Sequence, residues 1–528
     1  MELNGNLIIG AADVGPTAGT MRAIDPRTGA EVEPPFALGT EAEVDRAARL
    51  ADAAFDSYNA TTLEQRAAFL EKIAENLDRV APVLAQRTSI ETGLPAAQFE
   101  GEAARTAGNL RKFAAVVRQG RFRQAAIDPA QPERKPLPRM DHRLQKIGIG
   151  PVAVFGASNF PISYSVAGGD TASALAAGNP VIVKAHNAHP GASEIVARIV
   201  RDAARECGLH EGVFSLVRGA GNAVGEALVL HPLVRAVAFT GSEAGGMALY
   251  RLAQQRPDPI PVFAEMTSVN PTFILPAALE ARGQAIGDGF AERMLVNVGQ
   301  ACLKPAIILG IDGPGFDAMR AGLVGRVGAA PARTMLTPGI HQAYLSNLQH
   351  QQEAGARRIA QGDAASGPFD GQAVLAEVDG DTFLENPALA DEVFGPAALL
   401  VKLRDLDQLI RAAESFRGQL SATMHLEDAD HDIARRLLPI LERRTGRIVI
   451  NAFAHPQEVS WATIHGGPFP ATTDSRFTSV GMSAIERFLR PVTYQGFPDA
   501  LLPEALKSAN QLGLWRLVDG ELTRDPIG

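Results

Sequence analysis

The sequence predicts an α/β protein built around a doubly wound parallel sheet, and three observations predict it. From about residue 151 to 264, short β-rich runs alternate with helical stretches. Glycine-containing turns stand where strand gives way to helix, at Gly219-Ala220-Gly221-Asn222-Ala223-Val224-Gly225 and at Thr240-Gly241-Ser242. The stretch 148–183 carries a single charge, Asp170. Pro151, Asn159, Pro161, Gly168, Gly169 and Pro180 break it, so it reads as buried parallel strands around a small-residue helix. A lipid-spanning helix would need about 20 unbroken apolar residues.

Taken in order, 41–117 is alanine-rich and helical, interrupted by the turn Gly93-Leu94-Pro95. Residues 121–146 are polar and punctuated by proline, and read as an extended arm that leaves the body and returns. Then come the strand Val152-Ala153-Val154-Phe155, a helix over 165–176, the strand Val181-Ile182-Val183-Lys184 and a helix over 191–206. Val213-Phe214-Ser215-Leu216-Val217, a helix over 224–230 and Ala236-Val237-Ala238-Phe239 follow. A further helix and Pro261-Val262-Phe263-Ala264 close the set. A second α/β region over about 270–480 has strands such as Ile307-Ile308-Leu309, Leu399-Leu400-Val401 and Ile448-Val449-Ile450. Arg490-Pro491-Val492-Thr493-Tyr494-Gln495 is an edge strand suited to pairing with the arm.

A chain of 528 residues has material for about three domains, or two large ones and an extension. Its formal charge of −9, with dispersed basic residues, excludes the basic stripe of a nucleic-acid binder. Two cysteines, Cys207 and Cys302, exclude a disulfide framework and point to a reducing compartment. The N-terminus has an early acid and no basic n-region, which argues against a signal peptide. A cytoplasmic protein with no nucleic-acid or membrane partner and no metal site is expected.

Cys302 lies in Gly299-Gln300-Ala301-Cys302-Leu303-Lys304-Pro305. Free cysteine packs as a small hydrophobe, or serves as a nucleophile once its thiol is deprotonated. Glu265 ends the apolar run Val262-Phe263-Ala264, where burial can raise a carboxyl pKa and make a general base; a structural ion pair is the alternative. Asn159 follows a buried strand, placed to donate to an oxyanion or to cap the turn. Gly221 and Gly225 suit either a phosphate at a helix N-terminus or a plain tight turn. Thr240, Gly241 and Ser242 make a second such turn, with Ser242 a natural N-cap. Lys184, at a strand end, suits ribose or phosphate, or is a solvated charge. Glu392 and Phe394, in Asp391-Glu392-Val393-Phe394-Gly395-Pro396, suit a ribose and a ring, or a surface turn.

Together and in this order, these segments resemble the aldehyde dehydrogenase superfamily over nearly the whole chain. The resemblance implies a cofactor domain at 1–120 and 147–265, and a catalytic domain at 266–487. It also implies a β-hairpin oligomerisation arm at 121–146 and 488–497, a tail at 498–528, and a homodimer or homotetramer. Cys302 would be the nucleophile, Asn159 with the Cys302 N–H the oxyanion donor, and Glu265 the base that activates the hydrolytic water. Lys184, Ser242, Glu392 and Phe394 would hold the cofactor.

NAD-preferring relatives commonly place a glutamate three residues after the strand-end lysine; here Asn187 stands there. Its neutrality favours NADP over NAD, with Lys184, His186 or Arg218 to attract a 2′-phosphate. Residues 165–175, Lys184-Ala185-His186 and 465–476 resemble the branch of 2-oxoglutarate semialdehyde (2,5-dioxopentanoate) dehydrogenases and NADP-dependent long-chain aldehyde dehydrogenases. The implied reaction is oxidation of 2,5-dioxopentanoate to 2-oxoglutarate through a cysteine thiohemiacetal and thioester. Two places depart from that branch, Leu303 and the 451–461 stretch with Trp461; they suit a neutral medium-chain, long-chain or aromatic aldehyde. A non-catalytic binding protein of the same fold is the remaining alternative, disfavoured by retention of Cys302 and Glu265.

Overall fold

The computed structural model describes residues 3–455 and 457–527. Met1, Glu2, Pro456 and Gly528, which fall within the expected domain ranges (Pro456 also within the divergent 451–461 stretch), lie outside them. Five parallel strands form the first sheet in the order Val262–Glu265, Ala236–Thr240, Val152–Phe155, Val181–Lys184, Phe214–Val217. The antiparallel hairpin Leu7–Ile9 and Ala12–Val14 extends it. Strand order reverses beside Val152–Phe155, so a crevice opens at the carboxyl ends of Val152–Phe155 and Ala236–Thr240. Val152–Phe155 and Phe214–Val217 are buried along their full length, as expected of strands covered by helices on both faces.

The helices are the expected ones with adjusted ends. Glu41–Asn59 and Leu63–Thr92 each open on a threonine capping box, at Thr40 and Thr62. Gly93, at φ +73°, ends the second, and Ala96–Gln119 follows. The helix expected over 165–176 begins only at Gly169 and runs to Ala177, because the preceding residues form turns.

The second sheet, also mostly parallel, runs Arg357–Gln361, Val374–Asp379, Ala397–Leu403, Ile307–Ile311, Thr272–Ile274, Gln419–His425, Thr445–Ile450. Helices Pro276–Leu295 and Pro314–Gly328 pack on one face and Leu406–Ser415 and His431–Glu442 on the other.

Two expected boundaries shift. The 498–528 segment is no separate tail: Arg516–Val518 and Glu521–Thr523 complete a five-stranded sheet with Leu489–Gln495, His142–Gly148 and Ala126–Asp128. The largely buried Arg143 guanidinium clamps it, donating to the Leu506 carbonyl, Asp499 and Ser508. Nor does the chain between 465 and 487 stay with the second sheet alone, although Gly418 N–H donates to the Phe469 carbonyl. Met266 N–H donates to the Ala471 carbonyl and Thr473 N–H to the Ala264 carbonyl, so this segment lines the edge of the first sheet. Met482, Ala484 and Ile485 enter the first core. Asp170, the single charge of the 148–183 stretch, receives Arg487 at 2.8 Å with both side chains largely buried.

That pair yields a stability prediction. Asp170→Leu leaves Arg487 buried without its partner and lowers unfolding free energy by about 3 kcal/mol, whereas Asp170→Leu with Arg487→Met recovers most of the loss. Urea denaturation midpoints of the three proteins check it.

Candidate active site

A cleft of about 1050 Å³ opens at the carboxyl edge of the first sheet and ends on Cys302, Glu265 and Asn159. Asn159 lies in the turn after Val152–Phe155. Glu102, reaching from helix Ala96–Gln119, pins that turn by accepting the N–H groups of Ile162 and Ser163 at 2.9 and 2.8 Å. The Asn159 amide donates to the Gln300 carbonyl at 3.1 Å, which holds it two residues from Cys302 and leaves its second N–H for a reacting oxygen.

The Cys302 loop is tightly constrained. Asn297 and Val298 both adopt left-handed backbone (φ +56° and +57°); for the β-branched Val298 that conformation is strained. At Gly299 (φ +67°) any Cβ would lie 2.1 Å from the Gly395 carbonyl oxygen, so only glycine fits. Gln300 accepts the Leu336 N–H at 3.0 Å. Asn270 donates to the carbonyls of Cys302 and Lys304 at 2.8 and 3.0 Å. The buried Lys304 ammonium donates to the carbonyls of Val393, Gly395 and Ala397 at 2.6, 3.0 and 3.1 Å, and burial pulls its pKa down to about 8. The nucleophile loop is thereby tied to the loop carrying Glu392 and Phe394.

Glu265 is where structure and sequence reading differ most. Its two oxygens are taken: Oε1 lies 2.7 Å from His465 Nε2 and Oε2 accepts the Ser479 hydroxyl. Burial works to raise its pKa, but the charge and hydrogen bond of His465 and the Ser479 hydroxyl outweigh it, and the carboxyl sits below its ordinary value rather than above. His465 is the counterpart. Burial opposes its charge, yet Glu265 and, after it, Cys302 hold the imidazolium up to about 10. Ligating atoms of Glu265, Cys302 and His465 all lie within 4.8 Å of one another. The short Glu265–His465 contact is already bridged by a proton, so the cluster reads as a proton-holding unit. In the sequence His465 stood only as the first residue of the 465–476 resemblance, with no role, and Ser479 did not stand out; only the return of 465–479 along the sheet edge brings them to Glu265.

The expected cofactor residues divide. Lys184, His186, Thr240, Gly241, Ser242, Glu392 and Phe394 all line the cleft. Ser242 caps helix Glu243–Gln254 by accepting the Gly245 N–H at 3.2 Å. Glu392, buried with its pKa pushed up, accepts the Thr267 hydroxyl at 2.7 Å. Gly221, Gly225 and Asn187 do not line it. Their turns follow Phe214–Val217 and Val181–Lys184, on the far side of Val152–Phe155 from Ala236–Thr240. Gly225 instead lets its helix approach the Phe155 ring, 3.2 Å from where a Cβ would stand, and the Asn187 amide donates to the Gly219 carbonyl at 3.2 Å. Arg218 is fully buried, stacked on Phe36 and donating to the Ala37 carbonyl, so it faces no 2′-phosphate. His186 is held neutral, burial dropping its pKa to about 3. Leu303 packs with Leu420, Ala454 and Ala471 around Cys302, while Trp461 is exposed. Among the described residues, no helix is long and apolar enough to cross a membrane.

A model of the aldehyde dehydrogenase family matches residues 14–468, and the chain belongs to that family, whose reaction is the NAD(P)-dependent oxidation of an aldehyde. It is 53% identical over 523 residues to alpha-ketoglutaric semialdehyde dehydrogenase 2 of Azospirillum brasilense, covering 99% of this chain and 100% of that one. It is 44% identical over 526 residues to alpha-ketoglutaric semialdehyde dehydrogenase of Acinetobacter baylyi, with coverage of 99% and 100%. In fold it is similar to a variant of aldehyde dehydrogenase C from Pseudomonas syringae solved with NAD+ and octanal. That match has a TM-score of 0.78 at 23% identity and covers 94% of this chain and 98% of the other.

The cleft fits a dinucleotide by its own chemistry. The largely buried Lys184 ammonium has no carboxylate partner among the described residues; burial and then Arg218 lower its pKa, so an anionic group beside it would be stabilised. Cys302→Ala is expected to abolish aldehyde oxidation while Cys207→Ala, on the packed end of helix Pro190–Glu206, keeps kcat within about three-fold. Steady-state turnover of both variants with an aldehyde and NADP decides this.

Proposed function

We propose that this chain oxidises 2,5-dioxopentanoate to 2-oxoglutarate with NADP. The observation that carries the chemistry is the convergence of Cys302, His465 and Glu265 at the end of the cleft; the substrate follows the two relatives matched over their full length.

The Cys302 thiol gives its proton to His465, and Glu265 stabilises the imidazolium that results, the logic of a nucleophile–base–orienter set. The thiolate adds to the aldehyde carbon, and the oxyanion receives N–H donors from Asn159 and the Cys302 backbone. The Ser242 turn and Glu392 would hold NADP, which would supply the acceptor for the aldehyde hydrogen as hydride. Once Cys302 carries the acyl group its negative charge is gone, and one of the forces holding the proton on His465 goes with it. His465 then releases that proton to solvent, and the His465–Glu265 unit takes one from the water that adds to the thioester carbon as the C–S bond breaks and Cys302 leaves as thiolate. The base is the pair rather than a lone carboxylate of raised pKa.

NADP is favoured because Lys184 stands at the strand end with no carboxylate paired to it among the described residues, leaving its charge for a 2′-phosphate. Self-association is proposed on the five-stranded sheet. Leu489–Gln495 and Glu521–Thr523 are its two open edges, and Leu137, Met140, Leu517 and Leu522 are exposed on the same unit, apolar surface that a second copy would cover.

The reaction reading is tested by kcat/KM with NADP for 2,5-dioxopentanoate, hexanal and benzaldehyde. A preference of about 100-fold for the dioxo acid, about 2.7 kcal/mol, is expected; a flat profile would replace it with the neutral-aldehyde reading that Leu303 suits. A pH prediction follows from the pair. The stabilisation from His465 is full below its ordinary value of 6.5 and is lost as pH rises through about 10, while that from Glu265 is lost as pH falls below its ordinary 4.5. Unfolding free energy is therefore expected to fall as pH rises from about 6.5 to 10 in the native enzyme and to fall less in His465→Gln, which urea denaturation midpoints across that range check. For self-association, light scattering at micromolar concentration is expected to give a dimer or tetramer; a monomer would refute it.

A further inference from the structure

A second, smaller cavity shares no lining residue with the dinucleotide cleft. Arg105, Asn109 and Phe113, one face of helix Ala96–Gln119, form one wall, and Ser163, Tyr164, Val459, Ser479 and Val480 close it. Ser479 is the residue whose hydroxyl holds Glu265, so this cavity reaches the catalytic base from the side away from the cofactor turns. The Asn109 amide oxygen is buried without a hydrogen-bond partner.

Arg447 approaches the same centre from the second sheet. It lies two residues before Val449 on strand Thr445–Ile450, hence on the same face of that strand, and Val449 packs in the cluster around Cys302. Its guanidinium donates to the Ala454 carbonyl, and its Nε is buried without a partner. Burial and then the charges of Arg105, Arg293 and Arg447 lower the His455 pKa, and burial lowers the Arg447 pKa against the opposing charge of Cys302. Neighbouring surface cations are spent on carboxylates: Lys112 on Glu458, Arg282 on Glu427, Arg326 on Asp288. Arg105, Arg293 and Arg447 have no such partner among the described residues. A protein of net charge −9 thus keeps Arg447 without a carboxylate near its nucleophile and an exposed Arg105 in the wall of the smaller cavity.

We propose that Arg105 and Arg447 form the anchor for a substrate carboxylate, seating a short acidic aldehyde with its carbonyl at Cys302. The inference rests on the reading of a semialdehyde acid as substrate and names the residues that select it. In 2,5-dioxopentanoate four C–C bonds separate carboxylate from aldehyde, about 5 Å when extended, a span that suits a carboxylate held within one side-chain length of the nucleophile. Arginine can grip the carboxylate with two parallel N–H donors, a geometry lysine does not reproduce.

The test compares 2,5-dioxopentanoate with pentanal, equal in carbon count but lacking the acid, in the native enzyme, Arg105→Met, Arg447→Met and Arg447→Lys. The native enzyme is expected to prefer the acid. Each methionine variant should raise KM for the acid by about 10- to 100-fold while leaving pentanal kinetics within about two-fold, which also shows that it is folded. Should Arg447→Met fail to fold, Arg105→Met and Arg447→Lys carry the test, the lysine variant being expected to lose part of the acid preference. A native preference that survives in the variants overturns the anchor and leaves the substrate reading intact. A native enzyme that does not distinguish the two aldehydes overturns the substrate reading and the anchor with it.

Discussion

The buried contact between Glu265 and His465 holds together parts of the chain that have little else in common. Glu265 ends the last strand of the first sheet, and His465 sits on a segment that has already passed through the second sheet and come back. Burying two such groups costs several kcal/mol before their attraction is counted, so the pair is poor value as a stabiliser. What it provides is register. With Met266 and Thr473 bonded across the same seam, the carboxylate and the imidazole can meet in one arrangement, and that arrangement places both beside Cys302. Charge state follows from it: the proton belongs on His465, and Glu265 stays ionised.

Around this pair the nucleophile loop is held by backbone contacts rather than by packing. Two consecutive left-handed residues, one of them a valine, precede a glycine that touches another backbone. Strain of this kind costs of order 1–3 kcal/mol per residue, and it persists because Asn270, Gln300 and Lys304 fix the loop from three directions. The Lys304 ammonium satisfies the carbonyls of Val393, Gly395 and Ala397, in and just after the loop that carries Glu392 and Phe394. One side chain thereby couples the position of the thiol to the shape of the cofactor cleft.

Cys302 faces the dinucleotide cleft that opens at the strand reversal of the first sheet, and the smaller cavity walled by Arg105 meets Glu265 through Ser479. Helix Ala96–Gln119 serves both: Glu102 positions the turn that carries Asn159, and Arg105, one turn-step along, faces the smaller cavity. The chain is acidic overall, yet each cavity carries unneutralised cations, Lys184 in one and Arg105 in the other. Fields of this local kind act on bound anions through low-dielectric surroundings and are little affected by a distant net charge.

By itself the sequence determined the alternation of strands and helices, the doubly wound sheet, the arm and its partner strand, and the placing of Glu265 and Asn159 at or just after strand ends, with Cys302 in a segment between a glycine and a proline. Each of these is written in local pattern: periodicity, turn residues, and a polar residue interrupting an apolar run. Gly221 and Gly225 show the limit of such pattern, since a glycine turn looks the same whether it faces a ligand or lets a helix approach Phe155. Tertiary structure alone decided that 465–487 returns to the first sheet, that Asp170 meets Arg487, and that the 498–528 segment completes the arm's sheet. It also decided the protonation of Glu265, because a carboxyl pKa depends on what stands within a few ångströms, and His465 is 200 residues away in the chain. The same holds for Arg105 and Arg447: each is an ordinary arginine in its own segment, and only folding brings the two to one nucleophile.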